Sequence, residues 1–309
     1  MKAHNKNFTT IQTVAEYTEL FGLPSSGHPL FTIVDLAAAQ SKYRDRDLEI
    51  IHTPFIQQLY SVFLKRNLKG LLRYGHKTYD FSSGVLGFIA PGQVFAADSS
   101  LDTAGITGWM VIFHPDLLSK YPLVKKIENY GFFSYDLHEA LHLSAKEESI
   151  VNDLINIMKD ESHRPIDAFS QDVLVGQLDL LFSYANRFYH RQFITRRTPE
   201  HDLLSSFESL LKEYLKAETN PLPTVQFFAD ALSVSASYLS DMLRSITGQN
   251  AQQHIHQAII IKAKAILLST NQSISETAYQ LGFEYPQYFS RLFRSKTGLS
   301  PAAFRASAN

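Results

Sequence analysis

The sequence predicts an α+β protein in which a β-rich N-terminal part precedes a wholly helical C-terminal part. Three observations support this. Short β-like runs separated by Gly, Pro, Asp and Ser clusters occupy residues 1–143, amphipathic helical patterns follow from residue 144, and an eleven-residue motif occurs twice near the C-terminus. Strands this close together in the sequence favour a sandwich or small barrel over βαβ units.

The N-terminal part begins with a predicted helix and continues with strands. The helix spans Ile11–Phe21 and is closed by Gly22 and Pro24. Five apolar runs rich in β-formers are predicted as strands: 30–36, 55–64, 85–90, 93–97 and 107–113. His114 stands between the last run and Pro115, where we expect it to cap a short helix.

A pair of helices is predicted next, over residues 144–192. Ser144 and Glu147 have the spacing of a capping box, which starts the first helix. The second, from about residue 166 to 192, carries apolar residues at the 4-3-4-3 spacing of a coiled-coil seam: Leu174, Leu178, Leu181, Ala185 and Phe188. This stripe either packs on its own domain or forms the interface of a homodimer. The polar, proline-containing stretch 196–201 is predicted as a linker.

Composition excludes several classes of protein. The 309 residues are 45% hydrophobic and lack cysteine, which excludes a disordered chain, disulfide frameworks, thiolate metal sites and cysteine nucleophiles. No apolar stretch approaches membrane-spanning length, so a cytoplasmic protein without a membrane partner is expected.

Charge is distributed unevenly along the chain. Residues 1–186 carry 16 Lys/Arg and 21 Asp/Glu, whereas residues 221–309 carry seven Lys/Arg and four Asp/Glu. The basic end is therefore the candidate for a polyanionic partner.

The repeated motif predicts the function. Residues 238–248 (YLSDMLRSITG) and 288–298 (YFSRLFRSKTG) are identical at six of eleven positions, and a shorter helical pattern precedes each copy, at 225–232 and 274–281. Ala229 and Ala278 allow the two helices of each copy to cross closely. This pattern predicts a helix-turn-helix, whose second helix can enter the DNA major groove. A single helix over 251–269 would hold the two copies at the spacing of successive grooves, about 34 Å apart.

Residues 273–305 (SISETAYQLGFEYPQYFSRLFRSKTGLSPAAFR) closely resemble the signature of the AraC/XylS family of bacterial transcription regulators, with some likeness to members from Bacteroidetes-type bacteria. The resemblance covers 221–305 and implies a tandem helix-turn-helix domain over 221–309. It further implies that residues 1–192 are a cupin-like regulatory and dimerisation domain, with a β core at about 1–143, joined by a linker and entry helix at 193–220. Double-stranded DNA, a second copy of the chain and RNA polymerase are the expected partners.

The resemblance also assigns DNA contacts, on recognition helices at about 235–247 and 285–297. The outward positions of the first are Ala236, Ser237, Ser240, Asp241 and Arg244. Those of the second are Glu284, Tyr285, Gln287, Ser290, Arg291, Arg294 and Lys296. Arg291 is the best candidate to read guanine and Gln287 to read adenine, whereas Arg244, Arg294 and Lys296 are expected at phosphates. Tyr238, Tyr288, Phe289 and Phe293 are predicted to be buried.

Asp241 departs from this pattern, because the second copy has Arg291 at the matching position. A carboxylate repels phosphate and can only accept a hydrogen bond, for example from cytosine N4. The first unit would then bind more weakly or read a different base. The alternative is a carboxylate placed to interact with the helix dipole.

The regulatory half has two open interpretations. It binds a small effector, or it only dimerises and the regulator is effector-independent. Five aromatic residues are the candidates to line an effector pocket inside the β domain: Phe81, Phe88, Phe95, Trp109 and Phe113.

An enzyme is the least favoured class. Residues 138–142 (HEALH) match the HExxH motif of zinc metalloproteases. The capping box at Ser144 starts a new helix immediately afterwards, so both histidines are not expected on one helix. We therefore expect neither a metal nor a cofactor.

Overall fold

The computed structural model describes ten stretches of the chain: 9–24, 27–43, 55–66, 68–74, 77–81, 85–95, 105–136, 139–195, 197–216 and 221–307. The chain divides into two compact units, Met1–Gln192 and Phe193–Asn309.

The first unit contains the strands. In chain order they are β1 (Thr9–Ile11), β2 (Phe31–Asp35), β3 (Phe55–Gln57), β4 (Tyr60–Arg66), β5 (Leu68–Tyr74), β6 (Lys77–Phe81), β7 (Val85–Ile89), β8 (Gln93–Phe95), β9 (Thr107–Phe113) and β10 (Leu141–His142). They form a five-stranded sheet in the order β10-β7-β4-β9-β2, a three-stranded sheet in the order β1-β3-β8, and the hairpin β5-β6. The described strands do not close into a barrel, and the five-stranded and three-stranded sheets pack against each other as a sandwich.

The run predicted as one strand over 55–64 is divided between the two sheets. β3 pairs with β1 and β8, whereas β4 pairs with β7 and β9. Gln57 stabilises the break between them, because its Nε2 donates to the carbonyl of Leu59 (3.2 Å) and to Oγ of Ser61 (3.0 Å). A continuous apolar run does not reveal such a change of sheet.

Two apolar layers cover the two faces of the five-stranded sheet. On one face, Phe63, Val85, Ile89 and Ile112 join buried side chains of β1, β3 and the helices Val14–Leu20 and Leu36–Tyr43 in a cluster that we call the inter-sheet core. On the opposite face, Phe88 and other alternate residues pack against helices. This alternation follows from the period of two along a strand.

The helices of the first unit are α1 (Val14–Leu20), α2 (Leu36–Tyr43), α3 (Leu123–Ile127), α4 (Ala145–Ser162) and α5 (Ser170–Thr195). The predicted capping box is present, with Glu147 N donating to Ser144 Oγ and Ser144 N to the Glu147 carboxylate. Nδ1 of His114 accepts from Asp116 N (3.1 Å) and so caps the short 3₁₀ helix Pro115–Leu118, as predicted. α2, α3 and the strands β1, β5, β6 and β10 were not predicted.

The apolar stripe of α5 lies inside the first unit. Leu174, Leu178, Leu181, Ala185 and Phe188 are at most 5% exposed in the single chain. Phe182, on the same face, contacts Phe113 of β9 (6.4 Å between ring centroids) and Phe133 (5.4 Å). The interpretation of this stripe as a dimer seam is therefore wrong. Heptad spacing indicates a buried helix face but does not say what covers it.

The second unit is helical throughout its described residues. Its helices are α6 (Arg197–Lys216), α7 (Val225–Leu232), α8 (Ala236–Thr247), α9 (Ala251–Ser269), α10 (Ile274–Gln280), α11 (Pro286–Thr297) and α12 (Pro301–Ser307). The linker predicted at 196–201 is helical from Arg197 onward. Pro199 is tolerated there because the first-turn N–H groups of a helix have no intrahelical partner. Among the described residues, no helix has both the length and the apolarity needed to span a bilayer.

Candidate nucleic-acid interface

The first helix-turn-helix is built from α7 and α8. Ala229 of α7 is fully buried where the two helices meet. The turn begins at Ser233, which has a left-handed backbone (φ 59°), and the N–H of Val234 donates to the carbonyl of Ala229 at 3.0 Å. Leu239 and Leu243 of α8 are fully buried. Ala229 thus lies at the helix crossing as predicted, and the turn and the apolar contacts complete a helix-turn-helix.

The second helix-turn-helix, from α10 and α11, has the same construction. Ala278 is fully buried, and Phe283 N donates to its carbonyl at 3.0 Å. Gly282 supplies the left-handed turn residue (φ 87°), as Ser233 does in the first copy. A left-handed backbone is unfavourable for serine and freely available to glycine.

The residues identical in the two copies cap the second helices in the same way. The hydroxyls of Thr247 and Thr297 both donate to the carbonyl four residues earlier, at 2.8 Å. Gly248 and Gly298 end the helices with φ of 78° and 79°. The sequence identity therefore reflects a shared local geometry.

The single helix α9 joins the two helix-turn-helix copies. It spans Ala251–Ser269, the bounds predicted from the sequence, and a capping box between Asn250 and Gln253 starts it. Ile255, Ile259, Ala263 and Leu267 recur along its buried face. One continuous helix fixes the separation of the two helix-turn-helix copies more firmly than a loop would.

The second recognition helix presents an exposed basic surface. Of its seven predicted contact residues, Ser290 is half-buried. The other six are exposed: Glu284, Tyr285, Gln287, Arg291, Arg294 and Lys296. The guanidinium of Arg291 lies over the ring of Tyr288, 5.9 Å from its centroid. This contact holds the arginine against the helix surface while its N–H groups remain available.

Tyr288 was predicted to be buried, and this is wrong: it is 55% exposed. The matching Tyr238 of the first copy is buried, because Phe193 packs edge-on against its ring at 5.1 Å. Phe289 and Phe293 are fully buried, as predicted.

Because Tyr288 is exposed, it joins Tyr285, whose ring centroid lies 5.8 Å away, on the exposed face beside Arg291. The repeat alignment could not reveal that only one of the two tyrosines is covered.

The first recognition helix presents a different surface. Ala236, Ser237, Ser240 and Asp241 are half-buried and only Arg244 is exposed. Asp241 Oδ1 accepts a hydrogen bond from Arg244 Nη1 at 3.2 Å, so the carboxylate forms an ion pair with the cation one turn later. The first copy thus offers a locally neutral pair where the second offers Arg291 and Arg294.

Three of the five predicted effector-pocket residues, Phe88, Trp109 and Phe113, do not line the interior of the sandwich. Phe88 and Phe113 face the helices, with ring centroids 6.5 and 6.4 Å from that of Phe182. Trp109 faces the same way, and its indole N–H donates to Oδ1 of Asn152 on α4 at 2.9 Å. Both faces of the sheet are apolar, so composition could not show which face is inside. The side chains of Phe81 and Phe95 lie outside the described residues.

The HEALH segment does not have the geometry of a zinc protease. Leu141–His142 is a strand paired with Val85–Leu86 of β7, whereas the motif requires a helix. The carboxylate of Glu139 is buried and accepts from Asp136 N at 2.6 Å. His138 lies outside the described residues. Within the part of the chain that the structure describes, no three His, Asp or Glu side chains form a metal-binding group.

Comparison with known proteins supports this interpretation of the second unit. A family model described as a helix-turn-helix domain matches residues 228–307. "Histidine kinase P4" of Formosa agariphila is 34% identical over 114 residues, which are 35% of this chain and 8% of that protein. "HTH-type transcriptional activator RhaR" of Salmonella dublin is 27% identical over 184 residues, 58% of this chain and 62% of that one. The chain thus spans less than two thirds of either relative.

A solved structure is also similar: the C-terminal domain of the two-component response regulator yesN from Fusobacterium nucleatum. It is 29% identical, and the match covers 32% of this chain and 96% of that one with a TM-score of 0.29.

The C-terminal region of the chain is therefore a helix-turn-helix DNA-binding domain. It is of the AraC type, as the resemblance of residues 273–305 implies.

Proposed function

We propose that the chain is a sequence-specific transcription regulator whose two recognition helices, α8 and α11, read successive major grooves of duplex DNA. The observation that carries this proposal is the pair of helix-turn-helix units with matching turns and caps, joined by the single helix α9. The relatives named RhaR are transcriptional activators, which favours a regulator over an enzyme. RNA polymerase is the partner through which such a regulator would act.

On this proposal, the two helix-turn-helix copies contribute unequally to DNA affinity. α11 carries Arg291, Arg294 and Lys296, all exposed. α8 carries one cation, Arg244, which is paired with Asp241 at 3.2 Å. Because Lys and Arg drive binding by displacing counterions from phosphates, the second helix-turn-helix copy supplies most of the electrostatic affinity.

Replacing Asp241 with asparagine should strengthen DNA binding. The change removes a carboxylate that faces the DNA and releases Arg244 to contact a phosphate. We expect the slope of log K against log salt to steepen by about 0.9, the contribution of one additional phosphate contact. A fluorescence-anisotropy titration in increasing KCl measures this slope.

Asp230→Asn is the matched control, because Asp230 is exposed on α7 and its carboxylate accepts a hydrogen bond from Gln226 Nε2 at 2.8 Å. It should leave the slope unchanged. A slope for Asp241→Asn equal to that of the wild type would mean that Arg244 does not meet a phosphate.

The first unit is proposed to dimerise through α5, by a different face from the one inferred from sequence. Phe169, just before α5, and Val173 and Leu180 on it are 68%, 38% and 46% exposed in the single chain. Exposed Gly176 lies between them, so the four positions follow one helix face at 4-3-4 spacing. A second copy of the same helix would cover this face, with Gly176 allowing close approach.

The regulatory input is proposed to be a small effector bound by the first unit. The alternative, in which this unit only dimerises, predicts that no small molecule changes DNA binding.

Selection from random duplexes by the full chain tests the proposed function. We expect an enriched sequence motif, and a Kd for the selected duplex that rises steeply with salt. Recovery of no enriched motif at low salt would contradict the proposal.

A further inference from the structure

An open cleft of about 360 Å³ lies on α9 in the second unit, beside the C-terminal ends of both recognition helices. Gln249, which directly follows the glycine that ends α8, lines it, and so does Lys296 in the last turn of α11. The remaining lining residues share one face of α9 at helical spacing: Gln253, Gln257, Ile260, Ile261 and Lys264. We call this the α9 cleft.

The α9 cleft is basic. Lys264 and Lys296 line it, and its lining residues include no Asp or Glu. Burial and the charge of Lys296 lower the pKa of His256 on α9, so this histidine is neutral at neutral pH. Within the part of the chain that the structure describes, neither lysine forms a hydrogen bond or an ion pair. Both charges are therefore available to an anion from outside the unit.

The two lysines of α9 have different surroundings. Lys262 donates to the carbonyl of Leu215 on α6 and so is bound within the unit. Nζ of Lys264 instead lies over the ring of Phe304 on α12, 5.6 Å from its centroid, and this ring contacts Phe293 of α11 at 5.4 Å. The aromatic contact holds Lys264 on the side of α9 where α11 packs, while its N–H groups remain free to donate.

The amide of Gln253 is also placed to donate. Its Oε1 accepts from Asn250 N at 2.9 Å in the capping box of α9, so Nε2 is the atom left to bind a ligand. Gln257, one turn later, is exposed. Lys and Gln side chains are among those that bind the phosphate oxygens of DNA. Cations and amide donors without a carboxylate thus fit a polyanion.

The neighbouring recognition helices identify this polyanion. On the proposed function, α8 and α11 enter successive major grooves on one face of the duplex, so the minor groove between them and its two phosphate backbones face the protein. α9 joins these helices and therefore lies beside that stretch. Ile261 is 62% exposed in the cleft and suits the apolar deoxyribose edges next to the phosphates. An acidic protein would not require a site that adjoins both recognition helices.

We propose that the α9 cleft is a third DNA-contacting surface, in which Lys264 and Gln253 bind backbone phosphates beside the minor groove between the two recognised major grooves. Eleven residues separate them, about 16 Å along the helix, so they contact different phosphates. This inference rests on the proposed function, because the recognition helices set the position of the duplex.

The first test is the salt dependence of DNA binding by the full chain. Lys264→Gln should make the slope of log K against log salt shallower by about 0.9 and raise Kd at 0.1 M KCl by roughly five- to tenfold, because one phosphate contact is lost. Lys264→Arg keeps the charge and should keep the wild-type slope. Lys212→Gln, at an exposed position of α6 outside the cleft, is the matched control and should bind as the wild type does. Weaker binding by Lys264→Gln with an unchanged slope would assign Lys264 a packing role against Phe304 and overturn the proposal, as would unchanged binding.

Neutral methylphosphonate linkages locate the contact. They are placed one at a time between the two recognised segments of the selected duplex. At one of these positions the wild type and Lys212→Gln should lose affinity, whereas Lys264→Gln should show no further loss, because its contact to that phosphate is already absent. Equal losses for the wild type and Lys264→Gln at every position would overturn the proposal.

The two proposals fail separately. Phosphate contacts do not depend on base sequence, so the difference in slope between the wild type and Lys264→Gln should persist on unselected duplex DNA. If no duplex is selected while that difference remains, sequence-specific regulation fails and the phosphate contact stands. A selected duplex that both proteins bind with equal slopes leaves the proposed function intact and removes the contact by α9.

Discussion

Replacement of Arg291 by alanine should lower the affinity for the selected duplex by about 1–3 kcal/mol, which is roughly a 5- to 150-fold increase in Kd. The guanidinium stands exposed on α11, held near the ring of Tyr288 at 5.9 Å. From there it can pair with O6 and N7 of a guanine, a contact that no smaller side chain replaces. Competition titrations with single-base variants of the selected duplex measure both the loss of affinity and the base position that becomes degenerate.

Lys296→Ala is the matched comparison on the same helix. Lys296 is exposed near the C-terminal end of α11, where a phosphate contact is expected. Its replacement should weaken binding to all duplexes by a similar factor and leave base preferences intact. Unchanged base preferences in Arg291→Ala would remove Arg291 from sequence readout.

Replacement of Leu181 by glutamate should unfold the first unit. Leu181 is fully buried on the face of α5 that packs on the sheet. A carboxylate there loses its hydration without gaining a partner, and the apolar contacts of the leucine are lost as well. The expected cost exceeds about 4 kcal/mol, which is a large part of the stability of a domain. Circular dichroism during thermal unfolding should show the loss of the transition of the first unit.

Leu180→Glu, at the neighbouring position, is the matched control. Leu180 is 46% exposed on the face proposed for the dimer. This variant should remain folded and should sediment as a monomer where the wild type sediments as a dimer. A folded Leu181→Glu protein would contradict the packing of α5. A Leu180→Glu protein that remains dimeric would exclude the exposed face as the interface.

Local signals in the sequence predicted most of the helical unit. The eleven-residue repeat and the small residues Ala229 and Ala278 act between neighbouring helices, so their effect is legible without distant contacts. The same holds for the capping box at Ser144 in the first unit. The repeat then placed four helices and the helix joining them. These features account for the agreement over 225–297.

The errors arose where a partner distant in the sequence decides the outcome. Apolar alternation marked the strands at 85–90 and 107–113 but not which face is enclosed, so Phe88, Trp109 and Phe113 were assigned to the wrong layer. Tyr288 differs from Tyr238 only because Phe193 covers the latter.

Hydroxyl-radical footprinting of the full chain on its selected duplex tests the central claim most directly. Two helix-turn-helix units held by the single helix α9 predict two protected segments for each protomer, on the same face of the duplex and about 10–10.5 base pairs apart. Protection of only one groove, or of two segments on opposite faces, would contradict the account of α8 and α11 as tandem recognition helices.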